Sequence, residues 1–214
     1  GWSLDLVALL AEATAHWQGL LPALKVKPAA LAADLLEFLR QRLTSLLEEE
    51  GSSADLVQAV AGESVALERL LRDPADARAR VELLRRLRAE DRLPLVQAVV
   101  QRASRLAEHA DLASDVLSPT GVVDPDLFTS PSEAAVLAVL ERLALHAAAS
   151  GTARYDPLAR LLGESGATLA AFFDGDTSVM VMCDEPEVRR NRLRLLAVLR
   201  NQAAVLADFA RLGG

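Results

Sequence analysis

Prolines and glycines divide this chain of 214 residues into segments in which apolar residues recur every three or four positions. That spacing puts the apolar side chains on one face of a helix. It is clearest between Pro28 and Gly51, where leucine stands at positions 31, 35, 39, 43 and 46. Proline is favoured in the first turn of a helix and glycine just past its last turn. We therefore expect one long helix here with a single buried leucine face.

The same reasoning assigns helices to most of the chain. Ser130-Pro131-Ser132-Glu133 has the form of a capping box with proline at the first helical position. Aromatic residues make up only 4% of the chain, and no segment alternates apolar and polar residues as a strand would. The sequence predicts an all-α protein, an irregular helical bundle of about eight to ten helices. We expect helices at about 4–18, 28–50, 54–61, 73–89, 94–109, 130–149, 156–162, 166–173 and 186–211.

The longest stretch without a helix signal is LASDVLSPTGVVDPD, residues 112–126. It is the best candidate for an internal boundary, which would separate a helical region at 1–120 from a C-terminal helical part at 121–214. The first residue is glycine rather than methionine. We therefore expect the chain to be a piece of a longer protein.

Composition and motifs exclude several classes of protein. A single cysteine, Cys183, allows no internal disulfide and fits a reducing, cytoplasmic setting. No run of about 18 uncharged apolar residues is present, so we expect no membrane span. The sequence has no glycine-rich phosphate loop and no nucleophile elbow. Its three histidines stand far apart, and Asp174-Gly175-Asp176 lacks the remaining ligands of a calcium loop. We expect no catalytic, metal or cofactor site.

Positive charge is concentrated in the last predicted helix. Residues 186–211 contain six arginines and two acids, a net charge of +4, although the whole chain carries −7. On a helical projection Arg190 and Arg194 face away from the apolar arc, whereas Arg192 falls inside it. A buried guanidinium needs a carboxylate or a row of carbonyls. For Arg192 we expect the carboxylate of Asp174 or Asp176, in a salt bridge that tethers the preceding loop.

Several motifs resemble the C-terminal part of one family, the β subunit of the bacterial tetrameric glycyl-tRNA synthetase, which ends in a DALR-type anticodon-binding domain. The resemblance covers nearly the whole chain and is strongest in the last 45 residues or so. One departure is that residues 175–178 separate FFD from VMVM, which the family commonly joins almost directly. The motifs are LLEFLRQRLTSLLEEEG (35–51), ADLVQAV (54–60), VDPDLFTSPSEAAV (123–136), FFD (172–174), VMVM (179–182), VRRNRLRLL (188–196) and LADFARL (206–212).

The resemblance implies a tRNA-binding region that recognises the anticodon of tRNA(Gly) and so supports the ATP-dependent attachment of glycine. In that family the ligase site, where ATP is used, lies on the separate α subunit of an α2β2 tetramer. The chain itself would then hold no cofactor and would not charge tRNA alone. Its partners would be tRNA(Gly), the remainder of the β subunit and the α subunit. The alternative is a helical module that docks other parts of the synthetase without contacting bases.

Glycine anticodons end in two cytosines, whose amino groups suit carboxylates and whose acceptor atoms, like phosphates, suit arginines. Acids that precede a helix also fit a purely structural role. The candidate tRNA contacts are Arg189, Arg190, Asn191, Arg192, Arg194, Arg200, Asp174, Asp176 and Glu185. Weaker candidates, for which a solvated surface is the simpler interpretation, are Lys25, Lys27, Arg40, Arg42, Arg102 and Arg105.

Overall fold

The computed structural model describes residues 4–17 and 28–213, and these ranges confirm the all-α prediction. They form ten α-helices, with no strand among them. None of the helices in these ranges is long and apolar enough to cross a membrane. The helices are α1 (Leu6–Trp17), α2 (Pro28–Glu49), α3 (Ala54–Ala61), α4 (Leu67–Arg72), α5 (Pro74–Ala89), α6 (Leu93–Ala107), α7 (Pro131–Ala147), α8 (Tyr155–Glu164), α9 (Gly166–Ala171) and α10 (Pro186–Ala204).

The chain divides into two compact units. Among the described residues, the first comprises 4–17, 28–85 and 213, and the second comprises 86–212. The loop between α6 and α7 lies within the second unit because it is bonded to α10, as described below. The boundary after residue 120 stays a prediction.

In the first unit α2 packs against α1, α3 and α4. Its end is marked by Gly51, whose φ of +90° is a backbone conformation that glycine adopts most readily. The prediction of a single buried leucine face on α2 is wrong in part. Leu35 and Leu46 are exposed, whereas Leu47 is 2% exposed and belongs to the core. Leu31, Leu39 and Leu43 are half-buried, so the leucines of α2 are only partly covered.

In the second unit α10 is the central helix. It packs against α6 and α7, and eleven of its nineteen residues are buried. The helix ends at Ala204, not near Arg211 as the sequence suggested, and a 3₁₀ turn follows at Phe209–Arg211. The Asp208 carboxylate accepts the amide of Ala210 at 3.1 Å. Gln101 of α6 donates to the carbonyl of Phe209 at 2.8 Å. These bonds favour a new turn over continuation of α10.

The start of α7 confirms the predicted capping box. One carboxylate oxygen of Glu133 accepts the backbone amides of Thr129 and Ser130 at 2.8 and 2.9 Å. These amides precede the helix and have no carbonyl partner within it. Glu133 is 0% exposed, so the cap lies inside the second unit.

Glu133 also holds Arg192 of α10, which corrects the expectation that Asp174 or Asp176 would do so. The Arg192 Nε donates to Glu133 at 2.8 Å, and the two side chains are 6% and 0% exposed. The other nitrogens of the guanidinium donate to the carbonyl of Met180 at 3.0 Å and to the Thr129 hydroxyl at 2.6 Å. The buried guanidinium of Arg192 is therefore hydrogen-bonded to both a carboxylate and a carbonyl.

Burial alone would raise the pKa of Glu133. The hydrogen bonds from Arg192 and from the amides of Thr129 and Ser130 have the opposite effect, and together they hold the pKa of Glu133 below its ordinary value. The same hydrogen bond raises the pKa of Arg192. Both groups are thus charged at neutral pH. Removal of one member of such a buried pair leaves an uncompensated charge, which typically costs about 3–5 kcal/mol.

The loop between α6 and α7 is fixed by amide side chains of α10. Asn191 bonds both the amide and the carbonyl of Asp124 at 2.8 Å. Asn201 donates to the carbonyls of Ala113 and Val116 at 2.8 and 2.9 Å, and Gln202 donates to that of Leu117 at 2.7 Å. A long loop without regular structure exposes many unpaired carbonyls. These bonds satisfy several of them and make the loop part of the second unit.

We expect Glu133→Gln and Arg192→Met each to lower the free energy of unfolding by about 3–5 kcal/mol, because each leaves the other charge buried without its partner. Urea denaturation at pH 7 would measure this. Arg211→Met is the matched control, since Arg211 and Asp208 form an exposed pair at 3.8 Å whose contribution should be below about 1 kcal/mol.

The same pair predicts a pH dependence. Glu133 has a lower pKa in the folded chain than in the unfolded chain, so its contribution to stability is complete above about pH 4.3 and is lost as pH falls through its folded pKa. The unfolding free energy of Glu133→Gln should therefore fall less steeply than that of the wild type over this acidic range. Parallel pH profiles of the two proteins would contradict the assignment.

Candidate nucleic-acid interface

A cleft of about 270 Å³ opens beside the first turns of α10. It is formed where the end of α6 and the loop after it approach the start of the last helix. Two of the predicted arginines face it together with residues from that loop. The lining residues are His109, Ala110, Asp111, Pro186, Arg189, Arg190 and Leu193.

Asp111 is the anionic group of this cleft, and two arginines share it. Arg194 donates to its two oxygens from Nε and Nη2, both at 3.0 Å, and Nε of Arg190 lies 3.3 Å from one of them. The hydrogen bond from Arg194 is the largest cause that holds the pKa of Asp111 below its ordinary value. Two arginines therefore pair with one carboxylate and a third, Arg189, lines the same cleft, so these four side chains carry more positive than negative charge.

The three arginines differ in their availability to a ligand. The Arg190 side chain is 63% exposed, and an exposed ion pair contributes little stability. Arg190 can therefore exchange Asp111 for a phosphate oxygen at small cost. Arg194 is 29% exposed and also donates to the carbonyl of Val122 at 3.3 Å, so it holds the loop. Arg189 donates to the carbonyl of Cys183 at 2.9 Å and retains its charge, because a carbonyl does not neutralise it.

The loop that precedes α10, residues 174–185, is linked to the cleft by Arg189, which lines the cleft and donates to the carbonyl of Cys183 in the loop. Its carbonyls are bonded at intervals by side chains of the second unit. Thr177 O accepts the hydroxyls of Ser130 and Ser132 at 2.7 and 2.6 Å, and Met180 O accepts Arg192. The loop thus has a defined path even though it forms no regular secondary structure.

Several predicted contacts lie elsewhere or serve the fold. Asn191 and Arg192 are 4% and 5% exposed and make the structural bonds described above. Arg200 donates to the carbonyl of Ala107 at 3.1 Å and to Asn201. Asp174 pairs with Arg102, whose Nη1 lies 2.9 Å from both carboxylate oxygens. Of the predicted residues, Arg189 and Arg190 line the cleft, and Arg194 pairs with Asp111 on its wall.

The remaining candidates are dispersed. Asp176 and Glu185 are exposed on the loop before α10, and Arg42 and Arg105 are exposed on α2 and α6. Arg40, in the first unit, donates from Nε to Glu37 at 2.9 Å. Arg102 lies over the ring of Phe173, with 4.5 Å between its guanidinium carbon and the ring centroid. Lys25 and Lys27 lie outside the described residues.

The sequence interpretation missed His109 and Asp111. Asp111 stands 83 residues before Arg194, in a loop whose path no local pattern specifies. His109 was not a candidate because the three histidines stand far apart in the sequence. Only the packing of the loop on α10 shows that both residues face the arginines.

We expect Asp111→Asn to strengthen the binding of a short single-stranded RNA a few-fold at low salt, because it removes the carboxylate that competes with phosphate for Arg190 and Arg194. Fluorescence anisotropy would measure the dissociation constant. Asp115→Asn, an exposed position in the same loop, makes the same charge change away from the arginines. Equal strengthening by both variants would show that only the net charge matters.

Comparison with known proteins supports the resemblance noted in the sequence. The glycine–tRNA ligase β subunit of Acaryochloris marina is 41% identical over 209 residues, which are 96% of this chain and 29% of that protein. The same subunit of Picosynechococcus is 39% identical over 212 residues, 98% of this chain and 29% of that protein. That of Acidithiobacillus ferrooxidans is 33% identical over 183 residues. No protein-family model matches the chain.

The chain spans less than a third of the length of these curated relatives. The matches nevertheless run through almost all of it, including the arginine-rich last helix and the loop before it. The chain belongs to the family of glycine–tRNA ligase β subunits and corresponds to a C-terminal portion of them.

Proposed function

We propose that this chain is a tRNA-binding region that recognises the anticodon within the β subunit of a glycyl-tRNA synthetase. It would act in the cytoplasm with the rest of the β subunit and an α subunit in an α2β2 tetramer, where it supports the ATP-dependent attachment of glycine to tRNA(Gly). ATP would be used on the α subunit. The observation that carries the proposal is the cleft beside α10, which Arg189 and Arg190 line and where Arg190 and Arg194 share the carboxylate of Asp111.

In this proposal the cleft holds the phosphate backbone near the anticodon. Arg190 and Arg189 contact phosphate oxygens, since guanidinium groups bind them through paired charge-assisted hydrogen bonds. Arg194 keeps the loop and Asp111 in place. Phosphate contacts give affinity and fix the position of the strand, whereas base contacts give sequence preference. The cleft alone would therefore bind RNA without distinguishing its sequence.

The net charge of −7 on the chain as a whole fits this arrangement. An acidic surface repels nucleic acid over most of the molecule, so a small positive cleft selects where the strand can approach. Affinity from such contacts falls steeply as the salt concentration rises.

A second candidate function is docking of another part of the synthetase, and one observation favours it. Helices α1 and α2 of the first unit, together with Leu4 just before α1, expose several large apolar side chains. Exposed apolar surface often marks a protein interface. Binding there would depend only weakly on salt. The exposed residues are Leu4, Leu9, Trp17, Leu35, Phe38 and Leu46.

To test the tRNA proposal, the chain would be titrated with the anticodon stem-loop of a glycine tRNA over a series of salt concentrations. The slope of log K against log salt should become shallower by about one unit in Arg190→Ala, which removes one phosphate contact. Arg142→Ala, an exposed arginine on α7, is the matched control and should leave the slope unchanged.

A second stem-loop in which both anticodon cytosines are replaced would test recognition. We expect it to bind more weakly than the cytosine form. Equal binding of the two loops would restrict the chain to backbone contact and contradict anticodon recognition. Absence of salt-dependent binding to either loop would contradict the tRNA proposal and favour the docking function.

A further inference from the structure

The loop before α10 is held through its backbone carbonyls, which leaves its exposed side chains available for other contacts. The carbonyls of Thr177, Met180 and Cys183, three residues apart, each accept a hydrogen bond from a side chain of the second unit. The amide of Val179 donates to the carbonyl of Phe172 at 3.0 Å. The loop is therefore anchored along its length.

Its side chains alternate between the interior and the solvent. Val181 is 6% exposed, whereas Met180 and Met182 on either side of it are 74% and 49% exposed. Among the described residues of the second unit, the other large hydrophobic side chain with comparable exposure is Leu145, on α7. Two thioethers are thus presented to solvent on a backbone whose position is already fixed.

The charges on the loop limit which kinds of ligand can bind at these methionines. Asp176, Asp184 and Glu185 are exposed on the same loop. Carboxylates repel phosphate, so an RNA backbone would lie on the cleft side, beside Arg189 and Arg190, and not on the loop. An unstacked base is neutral and flat, and its amino groups can donate to carboxylates. Bases that point away from a strand held in the cleft therefore suit the loop.

We propose that Met180 and Met182 form a stacking platform for unstacked bases of an RNA loop whose phosphates occupy the arginine cleft. The proposal rests on the tRNA-binding function given above. Thioether sulfur makes favourable contacts with aromatic rings. Aromatic side chains usually supply such platforms in RNA-binding proteins, but no aromatic residue is among the large, exposed hydrophobic side chains of the described second unit. The hydrogen-bonded backbone also reduces the ordering that binding requires.

Arg189 connects the platform to the cleft. It lines the cleft and also donates to the carbonyl of Cys183, next to Met182. A protein partner fits the loop less well, because Asp176 precedes the two methionines and Asp184 and Glu185 follow them, which limits the exposed apolar surface to a short stretch.

The test is a double-variant cycle on the whole chain. Met180→Ala/Met182→Ala should bind the glycine-tRNA anticodon stem-loop about three- to tenfold more weakly than the wild type. A stem-loop with abasic residues at the three anticodon positions keeps its phosphates but offers no bases. The wild type should bind this RNA more weakly than the intact loop, whereas the double variant should bind both loops nearly equally.

Two controls make the result specific. Leu145→Ala removes a side chain that is 75% exposed and should bind as the wild type does. The thermal unfolding of the double variant should match that of the wild type, since both methionines are exposed.

The outcomes separate the two proposals. If the wild type binds the stem-loop in a salt-dependent way and the double variant binds equally well, the platform is wrong and the tRNA-binding function stands. A double variant that binds more weakly but remains as sensitive to the abasic change as the wild type would also contradict base stacking. If the wild type shows no salt-dependent binding, both proposals fail.

Discussion

The buried ion pair between Glu133 and Arg192 fixes three parts of the second unit relative to one another. Glu133 caps the start of α7, Arg192 belongs to the middle of the central helix, and the same guanidinium holds the carbonyl of Met180 in the loop between α9 and α10. Both charges are out of contact with water, so each requires the other. The path of the loop, and therefore the position of its exposed side chains, depends on this pair.

The sequence predicted the helices well because their signals are local. Prolines at first-turn positions and the capping box at Ser130 identify where helices begin without reference to the rest of the chain. The short helix α4 was not predicted, and the end of α10 was placed too late. Both depend on tertiary contacts, as the bond from Gln101 to the Phe209 carbonyl illustrates. A local pattern carries no information about such contacts.

The candidate site was less predictable, for a related reason. Burial of Arg192 followed from the helical projection, and its need for a carboxylate followed from physical chemistry, but the partner did not. Glu133 had been assigned to the capping box, and nothing in the sequence indicates that one carboxylate serves both a cap and an arginine 59 residues away. Asn191 shows the same difficulty. Nothing in the sequence indicates that its side chain bonds the backbone of Asp124, 67 residues earlier.

Most of the arginines concentrated near the end of this acidic chain stabilise the fold. Each of the six arginines in 186–211 has an intramolecular partner. For example, Arg192 is buried against Glu133. Arg194 donates to the carbonyl of Val122 in the loop after α6, and Arg200 donates to the carbonyl of Ala107, the last residue of α6. What remains for a ligand is the first turn of α10, where Arg189 and Arg190 face the cleft. In the proposed function these two arginines attach a strand through its phosphates, which carry no information about sequence. A preference for sequence would then come from other groups at or near the cleft, which include Asp111 on its wall and the acidic and neutral side chains of the anchored loop.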